Sequence, residues 1–372
     1  MKYIVIGAGI LGASTAYHLA KQGAEVTLVD RQDPGQATNA AAGIVCPWLT
    51  HRRNNAWYRL VKAGAKYYST LIEELEANGE TETGYARVGA INIFSKEERL
   101  DKKVALAQER QEDTPEMGGV TKLSSAETKA LFPPLSEAYG AVHISGAARV
   151  NGGALRNALI RGAERNGATF IYGDASLVYE ALKITGVTVN GETISADQVI
   201  VTGGAWAKKL LEPLGMNFQV TSQKAQIVHL QMPDTDTSSW PVVMAPYNQY
   251  MLTFGNGKIV VGATQEDPIH DDARVTMGSI HDIIDKALNV APDLASSTYV
   301  ETKVGFRPFT PSSLPVFGPV PDTEGLLVAN GLGASGLTSG PYLGSELAKL
   351  ALGESTELHL EDYDVAGALR QD

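Results

Sequence analysis

The stretch Tyr3-Ile4-Val5-Ile6-Gly7-Ala8-Gly9-Ile10-Leu11-Gly12 decides the fold. Its first four residues are β-formers closed off by glycine, which predicts a short buried strand, and the G-x-G-x-x-G spacing predicts a tight turn into a helix. From Leu11 to Gln22 apolar residues recur at helical intervals, and Gly23 stops the helix. Glu25-Val26-Thr27-Leu28-Val29 then reads as a second strand that ends in Asp30. The result is a complete β-α-β unit with an acid at its far end. Gly7 permits the turn, Gly9 lets the backbone approach a pyrophosphate, and Gly12 brings helix against strand. The helix N-terminus faces the anion. Asp30 stands 18 positions after Gly12, where a carboxylate accepts hydrogen bonds from ribose hydroxyls. Strand, glycines, helix, strand and acid in one register favour dinucleotide binding over a chance glycine loop. Asp30 disfavours a 2′-phosphate, while its neighbour Arg31 keeps NADP open. The same register argues against reading the apolar run after Lys2 as a secretory signal.

Outward from this unit, the chain of 372 residues is long enough for two domains, or for one large domain with an insertion. Lysine and arginine number 31 against 42 acids, a net charge of −11 that repels phosphate backbones and makes nucleic acid an unsuitable partner. Hydrophobic residues at 44% and charged residues at 20% are those of a globular chain with a large core, not of a disordered tail. The single cysteine, Cys46, excludes an internal disulfide or a cysteine-rich metal site, which fits a reducing, cytoplasmic setting. No apolar run is long enough to cross a membrane, so no integral membrane contact is expected. The seven histidines, His18, His51, His143, His229, His270, His281 and His359, show no ligand spacing, and no metal is assigned.

Whether the dinucleotide is NAD or FAD rests on the rest of the chain. Gln36-Ala37-Thr38-Asn39-Ala40-Ala41-Ala42-Gly43 has no side chain large enough to fill a core, so a large flat ligand can lie against its backbone. Near the other end, Asn330-Gly331-Leu332-Gly333-Ala334-Ser335-Gly336-Leu337-Thr338-Ser339-Gly340-Pro341 reads as a second glycine-rich loop. A short helix carrying Leu343, Leu347 and Leu350 follows it and stops at Gly353. A second helix N-terminus there suits the negative charge that an isoalloxazine ring takes on when reduced. Between these ends, Ala154 to Asn166 reads as a helix and Thr169-Phe170-Ile171-Tyr172 as a strand. Val187 to Ile194 reads as a hairpin turning at Asn190-Gly191, and Gln198 to Val201 as a buried parallel strand running into Gly203-Gly204. Phe218 to Leu230 and Tyr247 to Ala263, with a turn at Gly255-Asn256-Gly257, predict an antiparallel sheet in a second domain whose helix runs from Thr276 to Leu288.

Taken together, Gly7-x-Gly9-x-x-Gly12 with Asp30, Asn39-Ala40-Ala41-Ala42-Gly43, Val199 to Trp206, Gly305-Phe306-Arg307-Pro308 and the Gly331 to Pro341 loop resemble one group. It is the glycine oxidase, sarcosine oxidase and D-amino-acid oxidase group of FAD-dependent amine and amino-acid oxidoreductases, and the resemblance spans nearly the whole chain. It implies an α/β, Rossmann-like FAD-binding domain made discontinuously from 1–83, 143–215 and 302–372. It also implies an α+β substrate domain with a mostly antiparallel sheet from 84–142 and 216–301. The cofactor-binding set it implies is Gly7, Gly9, Ile10, Leu11, Gly12, Asp30, Arg31, Asn39, Ala40, Ala42, Gly43, Gly203, Gly204 and Trp206, with Gly333, Ala334, Ser335, Gly336, Leu337 and Thr338 from the C-terminal loop. Val178 is expected to touch the adenine through its backbone.

Arg307 stands where the resemblance places the arginine that grips the substrate carboxylate. A guanidinium is always charged and its planar fork matches a carboxylate; the competing role is an interdomain salt bridge. Tyr250 resembles the tyrosine that assists the same carboxylate, with Tyr247 as the alternative. The implied reaction moves a hydride from the substrate Cα to flavin N5 and leaves an imine that hydrolyses to keto acid and amine. It needs orientation rather than a strong base. The substrate class is glycine, sarcosine, a D-amino acid or an imino acid. Cys46 does not match the position of covalent flavin attachment in sarcosine oxidases, so the FAD is expected to be non-covalent. Asn39 stands where serine is frequent, and Leu332 where a histidine is. The strand near Val260 lacks the oxygen-activating lysine of sarcosine oxidases, which leaves oxygen or another acceptor open. His51-Arg52-Arg53 is placed either beside the flavin or in a solvated turn. An NAD-dependent dehydrogenase, a non-catalytic flavin-binding redox sensor and a homo-oligomer also remain open.

Overall fold

The structure is a computed structural model that describes residues 1–50, 52, 54–267 and 272–370. Its first strand, Lys2–Ile6, lies at the centre of a six-stranded sheet. Glu25–Asp30 and Gln198–Val201 flank it in parallel, Thr169–Tyr172 and Leu326–Asn330 extend it in parallel, and Val316–Pro319 closes one edge antiparallel. The central strands read as continuous apolar runs because helices cover the sheet: Tyr3, Ile4 and Val5 are all buried. The first helix, Ile10–Lys21, is buried almost all round and packs against Gly152–Arg165 and Gly336–Ala351.

A second, eight-stranded sheet is antiparallel except where Val242–Met244 runs parallel to Ala90–Phe94. Its edge strand, Thr298–Phe309, pairs with Thr221–Gln231 along its length and at Phe306 meets the loop after the first β-α-β unit. Met277–Val290 packs on this sheet and is capped by Thr276, whose hydroxyl accepts from the Ser279 N–H. The Asn190-Gly191 hairpin forms as read, both residues having positive φ, and it belongs to a three-stranded sheet with Ala175–Glu180.

One sequence expectation is corrected. The glycines from Gly336 to Gly340 are not loop: the C-terminal helix begins at Gly336, runs to Ala351 and contains Pro341. The small residues serve close helix packing instead. A Cβ on Gly344 would sit 2.6 Å from Ser14 Cβ, one on Gly340 2.9 Å from Ile10 Cγ2, and one on Gly64 of the helix Asn55–Ala77 2.3 Å from the Thr338 carbonyl oxygen. Pro341 lacks the N–H that would bond the Leu337 carbonyl, and the buried Tyr68 hydroxyl donates to that carbonyl in its place. The Pro341 carbonyl in turn accepts from Ser14 Oγ at 2.6 Å.

Candidate active site

Asp30 ends its strand with a buried carboxylate that organises the turn. Its Oδ2 accepts from the Ala8 N–H at 2.6 Å, and its Oδ1 accepts from Gln36 Nε2 at 2.8 Å and from the Gln32 N–H. Gln36, which sequence pattern did not single out, is therefore its brace. Gly7 has φ of 100°, and a Cβ there would meet the Thr202 carbonyl oxygen at 2.7 Å. At Gly12 a Cβ would lie 1.9 Å from the Gly7 carbonyl oxygen. Gly9 differs: its φ of −68° suits any residue, and the nearest atom to a Cβ would be Thr38 Oγ1 at 3.4 Å. No protein atom explains why Gly9 is glycine; the space in front of it does.

That space is a cavity of about 710 Å³. Gly7, Gly9, Ile10, Leu11, Asp30 and Arg31 line one part of it, and Ala40, Ala42 and Gly43 of the small-residue stretch another. Gly203, Gly204 and Trp206 contribute as well, as do Gly333, Ala334, Gly336, Leu337 and Thr338 around the start of the C-terminal helix. The termini of Ile10–Lys21 and Gly336–Ala351 thus both border one cavity. Thr38, within the small-residue stretch, uses its hydroxyl to accept from the Ile10 N–H at 3.0 Å. Arg31 is committed to Asp33 at 2.7 Å and Asp174 at 3.1 Å.

Four residues expected at the cofactor do not line this cavity. Gly12 is turned to Gly7. Asn39 donates to Gln36 Oε1 at 3.3 Å instead. Ser335 is tied up in its own turn: its hydroxyl donates to the Leu332 carbonyl at 2.9 Å and accepts from Trp57 Nε1 at 3.2 Å. At Val178 the lining has already ended with Leu177, and the Val178 carbonyl accepts from Thr185 Oγ1 at 3.3 Å. Cys46 lies outside the lining too, and burial pushes its thiol up to about 12, so it is a packing residue. Arg52 stacks over the Trp57 ring at 4.4 Å and donates to the Ser313 carbonyl at 2.5 Å. His51, Arg53 and His270 lie outside the described residues.

At the other end of the cavity, Thr298–Phe309 and Tyr250–Thr253 bring Arg307 and Tyr250 together, close enough for the guanidinium charge to act on the phenol. Burial raises the Tyr250 phenol above its ordinary value, partly offset by the charge of Arg307. Tyr247, the alternative, is 79% exposed and does not line the cavity. Arg307 Nη1 donates to Gln223 Oε1 at 3.1 Å, and among the described residues no carboxylate lies within ion-pair distance of it. Among the described residues, then, this arginine makes no interdomain salt bridge. Among the described residues the acids that line the cavity are Asp30, Asp33 and Asp174, all grouped around Arg31, and no histidine lines it. No cluster among the described residues can hold a metal ion.

A turn with room for a pyrophosphate, an acid at the end of the second strand, a second helix terminus and a guanidinium with no ion-pair partner among the described residues fit a flavin-dependent oxidoreductase of amino acids and amines. In keeping with this, the sequence model of the FAD dependent oxidoreductase family (DAO) matches residues 2–350, and the chain belongs to that family. It is 61% identical over 368 residues to the uncharacterized oxidoreductase YurR of Bacillus subtilis (strain 168), covering 99% of each chain. The crystal structure of iminodiacetate oxidase from Chelativorans sp. BNC1 superposes with a TM-score of 0.95 at 46% identity, covering 97% of this chain and 98% of that one. Glycine oxidase of Pseudomonas aeruginosa is 27% identical, with 99% of each chain covered. FAD is the cofactor of the family, which sets aside the nicotinamide dehydrogenase, and the family is one of oxidoreductases. The residues present fit it: the open face of Gly9 admits a pyrophosphate and Asp30 a ribose. Among the described residues no helix is long and apolar enough to cross a membrane.

Proposed function

We propose that this enzyme oxidises a small amino acid or N-substituted glycine at Cα, with the substrate carboxylate held by Arg307 and Tyr250. The observation that carries the reading is a guanidinium in the cavity wall that is hydrogen-bonded to a neutral amide and lies beside a buried phenol, with no carboxylate among the described residues within ion-pair distance of it. The chain's own residues do three things. Arg307 binds the carboxylate and fixes the Cα–H direction. Tyr250 stays protonated and donates to the same carboxylate. Among the described residues the apolar and amide lining at this end supplies no carboxylate or imidazole base, so the substrate amine reacts in its neutral form. Non-covalently bound FAD would supply the two-electron acceptor for the Cα hydride. The imine product is hydrolysed by water to a keto acid and an amine.

The same proposal assigns 1–83, 143–215 and 302–372 to the cofactor and 84–142 and 216–301 to the substrate, and places the enzyme in the cytoplasm. Because a relative of 46% identity is titled an iminodiacetate oxidase, iminodiacetate is the first compound to try, beside glycine, sarcosine and D-amino acids including D-proline. Anaerobic addition of each to the purified flavoprotein tests the reading: bleaching of the visible flavin bands by one of them supports it, and bands that none of them bleaches count against it. Readmitting air then shows whether oxygen takes the electrons.

A further inference from the structure

Arg307 sits in a row of three side chains that crosses adjacent segments of the eight-stranded sheet. Arg307 is directly opposite Gln223 on the neighbouring strand, and the next segment pairs through Lys224 and Glu266, which places Asp267 beside Gln223 on its other side. The hydrogen bonds follow the row. Arg307 Nη1 donates to Gln223 Oε1 at 3.1 Å, and Gln223 Nε2 donates to Asp267 Oδ1 and Oδ2 at 3.0 and 3.2 Å. These two partners fix which way the amide points. A flipped Gln223 would set its NH₂ against a guanidinium N–H and its oxygen against a carboxylate, two repulsions in place of two bonds.

We propose that Gln223 is a positioning residue that braces Arg307 while keeping its positive charge uncompensated, so that carboxylate affinity depends on position 223 being neutral. The inference rests on the reading of Arg307 as the carboxylate receptor. A guanidinium held by an internal carboxylate must give up that ion pair before it can take a substrate's; one held by a carbonyl oxygen keeps its charge for the incoming anion. Gln223 supplies that oxygen and separates Arg307 from Asp267. Its amide is thus the spacer between the receptor and the acid on its far side.

The test is calorimetric binding of acetate to the FAD-loaded enzyme and to Gln223→Glu, Gln223→Leu and Arg307→Ala. Glutamate keeps the size and reach of glutamine and changes the charge; leucine loses the brace and stays neutral. A role in packing alone makes glutamate the milder change, whereas the spacer role makes it the harsher. The expected order of affinity is wild type, then Gln223→Leu, then Gln223→Glu, the last weakened by about tenfold or more. With an amino-acid substrate, the loss in Gln223→Glu falls mainly on KM rather than kcat. Acetate binding by Gln223→Glu within about twofold of wild type, or weaker binding by Gln223→Leu than by Gln223→Glu, overturns the proposal. If Gln223→Glu does not fold, Gln223→Leu decides: unchanged acetate affinity refutes the brace. Unchanged affinity in Arg307→Ala would sink the reading of the site itself, a result separate from failure at position 223.

Discussion

Gly9→Ala separates the needs of the fold from those of the cofactor. The backbone at Gly9 has φ of −68° and ψ of −178°, which alanine adopts without strain, and its Cβ would meet only Thr38 Oγ1, at 3.4 Å. Two small effects act on the apoprotein. Reducing the freedom of the unfolded chain stabilises by about 0.4–1 kcal/mol, and alanine is a poorer N-cap than glycine by a similar amount, about 0.5–1 kcal/mol. The net change in apoprotein stability is therefore within about 1 kcal/mol of zero. The holoenzyme is affected far more, because the new methyl group fills the space through which backbone N–H groups reach a phosphate. Losing two charge-assisted hydrogen bonds at about 1.5–3 kcal/mol each lowers FAD affinity by about 3–6 kcal/mol, or about 10²–10⁴-fold. Urea unfolding of apoprotein and calorimetric titration with FAD measure the two quantities separately. Gly12→Ala is the control: its Cβ would lie 1.9 Å from the Gly7 carbonyl oxygen, so the apoprotein itself is destabilised. Gly9→Ala that binds FAD as tightly as wild type, or that unfolds as apoprotein, refutes the assignment of that space to the cofactor.

Arg307→Ala removes the proposed carboxylate receptor and is expected to lower kcat/KM by about 10²–10³-fold, read in steady-state assays, with FAD content unchanged. Tyr250→Phe costs one hydrogen bond, about threefold to tenfold in kcat/KM. Since burial raises the Tyr250 phenol, any loss of activity between neutral pH and pH 10 is the same in both proteins (about pH 10 being the free phenol). Tyr68→Phe leaves the Leu337 carbonyl without the donor that replaces the missing Pro341 N–H, and denaturant unfolding should show a loss of about 1–3 kcal/mol. His18, hydrogen-bonded to the Tyr67 hydroxyl at 2.8 Å, is pushed down from 6.5 to about 4, first by burial. The unfolded chain takes up this proton at a higher pH than the folded one does. Stability is therefore lost as pH falls from 6.5 through about 4, by of the order of 3 kcal/mol; His18→Gln should flatten that part of the pH–stability curve.

Local chemistry made much of this legible. The first β-α-β unit and the Asn190-Gly191 turn follow from glycine spacing and β-former runs, and they stand where the sequence places them. The Gly336–Pro341 segment misled, because small residues that permit tight helix packing look, in one dimension, like small residues that permit a loop. The difference lies in Ser14, Ile10 and Tyr68, which are distant in sequence and adjacent in space. At the candidate site, Arg307 and Tyr250 could be named because each sits in a short recognisable pattern, and they meet only through pairing across the eight-stranded sheet. Gln36, Thr38 and Gln223 carry no pattern: each acts by bracing another residue, and such partnerships depend on the fold. Val178 and Ser335 show the reverse, residues adjacent to the cavity in sequence whose polar groups are engaged elsewhere.

The central claim is that Arg307 selects amines by their carboxylate. Anaerobic visible spectra of the holoenzyme should be recorded with matched pairs, glycine against methylamine and sarcosine against dimethylamine, and with iminodiacetate, in wild type and in Arg307→Ala. The account predicts that the flavin bands of the wild type bleach with a carboxylate-bearing amine and stay unchanged with its decarboxylated counterpart, and that Arg307→Ala loses this preference. Equal bleaching by both members of a pair in the wild type would contradict it.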